Sequence, residues 1–149
     1  MARIVGWNCR ASLISREVVL APDWEPVAKL RAIHPLHPEI DEVAQGSFRH
    51  RELPEIRGSG YVVNSLEAAL WAFSRAGSFE EAVLQAVNLG DDADTTGAVC
   101  GQIAGAFWGE DRIPSGWRQG LAGQNMIESI LNRLLLSRME RGQPWTYAS

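Results

Sequence analysis

Residues 64–108 read NSLEAALWAFSRAG, SFEEAVLQAVNLG and DDADTTGAVCGQIAGAFW, three consecutive segments that each carry helical periodicity. In the first, Leu66, Ala69, Leu70 and Phe73 recur at helical spacing. Asn64 stands three residues before Glu67, the spacing of a capping box, and Gly77 supplies a stop. The second repeats the signature with Ser78 and Glu81, an apolar face of Phe79, Ala82, Val83, Ala86 and Val87, and Gly90 as its end. The third predicts a helix that starts within Asp92–Thr95 and runs to about Trp108. Its glycines at 97, 101 and 105 fall on one stripe. Glycine costs up to about 1 kcal/mol at each interior helix position, so the stripe predicts a backbone pressed against another helix or a ligand.

Outward from this core the pattern changes. Pro22, Pro26, Pro35, Pro38 and Pro54 break the N-terminal third, which is expected to hold short helices and loops. Tyr61-Val62-Val63 is too short a β-type run to alter the class. Two further helices are expected around Ser115–Leu121 and Gln124–Arg141. Ile127, Ile130, Leu131 and Leu134 are expected to be the buried stripe of the last. Trp71 and Trp108 fall inside predicted helices as packing residues. The predicted fold is all-α, a single multi-helix domain over 1–149 with no internal repeat.

A chain of 149 residues with 46% apolar content and six tryptophans is long enough to bury a core. The net charge of −4 and pI near 5.4 argue against nucleic acid or an anionic membrane as partner. No apolar run approaches the roughly 18 residues of a membrane span, and the N-terminus lacks a signal-peptide core. Cys9 and Cys100 are expected to be two reduced thiols of a cytoplasmic protein.

The stretch Asn88–Gly97 concentrates the chemistry. Asp91, Asp92 and Asp94 stand with Thr95 and Thr96 inside six positions, and no Lys or Arg occurs between Arg75 and Arg112 to neutralise them. Clustered carboxylates repel unless a cation joins them, and hard oxygen donors suit Mg²⁺, Ca²⁺ or Mn²⁺. A helix cap would use one carboxylate, not three. Two other motifs fail on context. An EF-hand loop opening at Asp92 would need Glu at its twelfth position, where Ile103 stands. The Asp-x-Asp-x-Thr of haloacid-dehalogenase-type phosphatases should follow a β-strand, whereas residues 79–89 read as helix. His34, His37 and His50 are separated by prolines and lack a nearby cysteine, which argues against zinc.

The run from Asn88 to Phe107 resembles the C-terminal metal motif of the ADP-ribosylglycohydrolase family, the family of the dinitrogenase-reductase-activating glycohydrolase. The Gly-x-Asp-x-Asp-Thr core falls on Gly90, Asp92, Asp94 and Thr95. Ile56-Arg-Gly-Ser-Gly-Tyr-Val-Val, Leu66-Glu-Ala-Ala-Leu-Trp-Ala-Phe and Arg112-Ile-Pro-Ser-Gly-Trp resemble the family too, in the same order. The resemblance spans about residues 15–138 and implies an all-helical fold. It also implies two Mg²⁺ (or Mn²⁺) ions and hydrolysis of the glycosidic bond at C1″ of ADP-ribosyl adducts. By that resemblance Asp92, Asp94 and Thr95 are metal ligands, Asp91 stands behind them, and Ser59, Gly60 and Tyr61 contact ADP-ribose. The family's N-terminal Thr/Ser-Asp-Asp-Thr stretch and its acidic catalytic group have no counterpart in these residues. The resemblance is therefore to a C-terminal half, with residues 1–14 an atypical start and the catalytic residue unassigned. A separate N-terminal half or self-association is the implied partner. The alternative is a non-catalytic helical module that binds metal or ADP-ribose.

Overall fold

The computed structural model describes residues 15–21 and 25–140; the atypical start and Cys9 lie outside them. Every regular element there is helical: α1 (Arg16–Val19), α2 (Glu25–Ile33), α3 (Pro38–Ala44), α4 (Val62–Arg75), α5 (Phe79–Val87), α6 (Ala93–Trp108), α7 (Ser115–Gln119) and α8 (Gln124–Glu140). Short 3-10 turns occupy Ser47–Arg49 and Glu110–Arg112. The chain divides into two units, one ending at Ile113 and one starting at Pro114. The all-α expectation holds.

The first unit is built on α4, α5 and α6, each packed against the other two, with α3 and the Ser47–Arg49 turn laid on α4. Small residues make this possible. Ala68, Ala69, Ala72, Ala82, Ala86 and Ala104 are wholly buried and let the helices approach. Bulk comes from Phe73, whose ring meets Phe107 at 5.4 Å and Trp108 at 5.3 Å edge-to-face. The Trp71 indole donates to the Arg51 carbonyl at 3.1 Å, and the Arg75 guanidinium covers its face at 4.7 Å.

Ser78 caps α5 as expected, its hydroxyl accepting from the Glu81 amide at 3.1 Å. The Glu81 carboxylate reaches back to the Gly77 amide at 2.7 Å. The expected cap at Asn64 does not form. Helix α4 begins earlier, at Val62, with Tyr61 in the cap position. Asn64 turns to the Ser59 hydroxyl, and Glu67 is buried inside the first unit, accepting from the Ser47 hydroxyl and pairing with Arg51 Nε at 3.2 Å. Both side chains are engaged elsewhere, so the box has no partners.

The glycine stripe of α6 is a close contact at one position only. A Cβ on Gly97 would lie 2.6 Å from Val87 Cγ1, whereas one on Gly101 would meet nothing within 4 Å and one on Gly105 only the Phe79 ring at 3.8 Å. The Cys100 thiol beside them is fully buried, donates to the Ala82 carbonyl, and is pushed up to about 11 by burial; it packs as a neutral group.

In the second unit α7 and α8 lie where expected, but the apolar stripe of α8 is exposed rather than buried. Ile127, Ile130, Leu131 and Leu134 retain 38–60% of their surface. Periodicity specifies that such a face exists; it cannot specify what covers it. Among the described residues no helix is long and apolar enough to cross a membrane.

Candidate metal and substrate site

Two loops meet at the N-terminal end of α6. The first, Gly58–Tyr61, leads into α4; the second, Gly90–Asp92, joins α5 to α6. The turn of the second loop depends on two left-handed residues in succession, Gly90 (φ +78°) and Asp91 (φ +50°). Asparagine and aspartate tolerate that region better than other side chains, which suits the position of Asp91. The Asp92 amide then donates to the Gly58 carbonyl at 2.6 Å, tying the loops together.

Gly58 has no room for a side chain: a Cβ there would lie 2.8 Å from Thr96 Oγ1 and 3.1 Å from the Gly90 carbonyl oxygen. Thr96, wholly buried, donates its hydroxyl back to the Asp92 carbonyl at 3.0 Å. Gly60 faces the Asp92 carboxylate, with Asp92 Oδ2 3.4 Å from where a Cβ would sit. The candidate substrate loop and the candidate metal loop are thus one packed feature.

Asp92 occupies the cap position of α6 yet makes no side-chain bond to the helix amides. The hydrogen bond from Asp92, then that from the Thr95 amide at 2.9 Å, hold Asp94 below the usual carboxylate range. Two carboxylates two positions apart at the start of α6, with no Lys or Arg in the sequence between Arg75 and Arg112, fit the donor set of a hard dication. Thr95 is exposed beside Asp94 in the first turn of α6. Asp91 is exposed as well. Among the described residues no three His, Cys, Asp or Glu side chains converge on one point, so Asp91 does not complete a carboxylate triad with Asp92 and Asp94. The site supplies two carboxylates and hydroxyls, fewer oxygens than the six or so a Mg²⁺ shell holds.

On the other loop, the Ser59 hydroxyl accepts from Asn64 Nδ2 at 2.9 Å and from the Tyr61 amide at 3.3 Å, and the Ser59 carbonyl accepts from the Ser65 hydroxyl at 2.5 Å. Ser65 is 2% exposed, which makes it an internal brace. Tyr61 is half exposed. Its hydroxyl donates to the Glu39 carboxylate, and that bond raises the phenol above its ordinary range. Tyr61 and Glu39 share one wall of a cavity of about 150 Å³, whose other polar lining includes Ser47, Arg51, Asn64 and Glu67.

Sequence reasoning placed Ser59, Gly60, Tyr61, Asp92, Asp94 and Thr95 as candidates, and the fold brings Ser59, Gly60, Tyr61 and Asp92 to adjoining loops, with Asp94 and Thr95 in the first turn of α6. It missed Glu39, Ser65 and Thr96. Thr96 lay inside the acidic motif and only its burial marks it as a brace. Glu39 is 22 positions from Tyr61, and no spacing rule links them.

Comparison with known proteins bears on this geometry. Residues 4–144 match the family model described as ADP-ribosylglycohydrolase. The chain is 41% identical over 102 residues to the ADP-ribosylarginine hydrolase Tri1 of Serratia proteamaculans, covering 68% of this chain and 28% of that protein. It is 43% identical over 68 residues to the ADP-ribosyl-[dinitrogen reductase] glycohydrolase of Rhodospirillum rubrum, covering 46% and 23% respectively. A solved structure titled ADP-ribosylglycohydrolase-related protein complex superposes with a TM-score of 0.61 at 41% identity, over 76% of this chain and 40% of its own. The chain therefore spans less than a third of the length of these two sequence relatives.

Proposed function

The chain belongs to the ADP-ribosylglycohydrolase family, and from that premise we propose that it forms the metal-loop and ADP-ribose-loop portion of a hydrolase that cleaves the glycosidic bond of ADP-ribosyl adducts. The observation that carries this reading is the bond between the Asp92 amide and the Gly58 carbonyl at 2.6 Å, which sets the acidic turn directly against the Gly-Ser-Gly-Tyr loop. A ligand held by one loop lies within reach of the other.

In this reading Asp92, Asp94 and Thr95 hold Mg²⁺ or Mn²⁺, with Asp91 supporting them. The chemistry a divalent ion supplies in such a site is orientation of ribose hydroxyls and polarisation of water at the anomeric carbon. The chain's own residues do the rest. Ser59 and Gly60 let the backbone approach the ligand, and the Tyr61 ring offers a face to the adenosine portion. Ser65 and Asn64 keep that loop in shape. No residue here is assigned as general acid or base. The substrate class is ADP-ribosylated protein or a small-molecule adduct.

Calorimetric titration of Mg²⁺ into the chain, with and without ADP-ribose, tests the assignment. Binding at micromolar Mg²⁺ that strengthens with ADP-ribose is expected. Asp92→Asn and Asp94→Asn should each remove it, and Asp91→Asn should weaken it less. Equal loss at all three positions would show that the ligands are wrongly chosen. Turnover of an ADP-ribosyl adduct by the chain would exclude the non-catalytic alternative.

A further inference from the structure

We propose that Glu39, on the first turn of α3, is a positioning residue that fixes the Tyr61 ring for ligand binding. The inference rests on the reading that Tyr61 contacts the ADP-ribosyl group. Three observations lead to it. Tyr61 retains 49% of its surface, so packing alone does not hold its ring. Its backbone is already set: the amide bonds to Ser59 Oγ, and the carbonyl accepts from the Ser65 amide at 3.1 Å as α4 begins. What remains free is rotation about the two side-chain torsions, and the bond from the phenol hydroxyl to Glu39 Oε2 is the contact that removes it.

Glu39 suits this role because α3 is packed on α4, so the acceptor stands on a rigid neighbour rather than on the same loop. His37 Nδ1 lies 3.9 Å from the same carboxylate oxygen. The ring so held forms part of the wall of the 150 Å³ cavity between α3 and the start of α4. A ligand that meets a preset ring avoids the ordering cost of freezing it, worth about three- to tenfold in affinity for one side chain.

The test is ADP-ribose affinity, by calorimetry with Mg²⁺ present, of the full chain and four variants. Glu39→Ala and Tyr61→Phe should each weaken binding about three- to tenfold. The double variant should be no weaker than either alone, because both remove the same bond. Glu39→Gln, which keeps an acceptor oxygen, should bind within about twofold of the wild type. A merely structural role would make Glu39→Ala equally harmful in the Tyr61→Phe background, and that result overturns the proposal, as does unchanged binding by Glu39→Ala. A wild-type chain that binds no ADP-ribose overturns the functional reading together with this inference. With Tyr147→Phe as background, phenol absorbance against pH reads Tyr61 alone. Its titration should move down in Glu39→Ala, and an identical curve in both would show that the bond is not made in solution.

Discussion

Gly58 is the residue on which the two loops of the site depend. It is buried, its carbonyl accepts the Asp92 amide, and a side chain there would press into Thr96 and the Gly90 backbone. Gly58→Ala is therefore expected to cost about 1–3 kcal/mol, because the atoms it meets include backbone that cannot step aside. Gly101 is its counterpart in reverse. It lies inside α6 with open space where a Cβ would go, so Gly101→Ala should be neutral or stabilise by up to about 1 kcal/mol through helix propensity. Urea denaturation of the two variants side by side checks both signs. The pair also shows what a glycine pattern in sequence conveys. Gly97, Gly101 and Gly105 looked equivalent, yet a Cβ would clash only at Gly97, against Val87 of α5, while Gly105 is in ordinary contact with Phe79 of the same helix and Gly101 faces open space.

At the scale of elements, the capping signals divide instructively. Ser78 caps α5 through the Glu81 amide, as its local sequence requires, and Ser78→Ala should lower stability by about 1 kcal/mol in thermal or urea melts. A loss below about 0.3 kcal/mol would mean that tertiary contacts, not the cap, hold that end. Asn64 and Glu67 carry the same spacing but no cap forms, because α4 extends three residues further toward its N-terminus. That extension matters for function. It makes Tyr61 the cap residue, brings Ser65 under the Ser59 carbonyl, and turns Glu67 inward to Ser47 and Arg51. The helix start thus shapes the candidate ADP-ribose loop, and local sequence alone would have placed it three residues too late.

Across the whole molecule, apolar residues at helical spacing meet two different fates. Phe73 is 1% exposed amid Phe107 and Trp108, and Phe73→Ala should cost about 3–5 kcal/mol. Ile130 on α8 is 48% exposed, and Ile130→Ala should stay within about 0.5 kcal/mol. A large loss at Ile130 in a denaturant series would mean that α8 is covered in solution. The helical class, the number and approximate limits of α4 to α8, and the acidic turn at Asp91–Thr95 were determined by the sequence itself, since periodicity, caps and charge clusters act over a few residues. The tertiary structure decided what joins residues far apart: Gly58 against Thr96, Glu39 under Tyr61, Glu67 turned into the core, and the α8 stripe left exposed. Such contacts depend on how whole helices pack, and packing is set by the shapes of surfaces that no local spacing encodes.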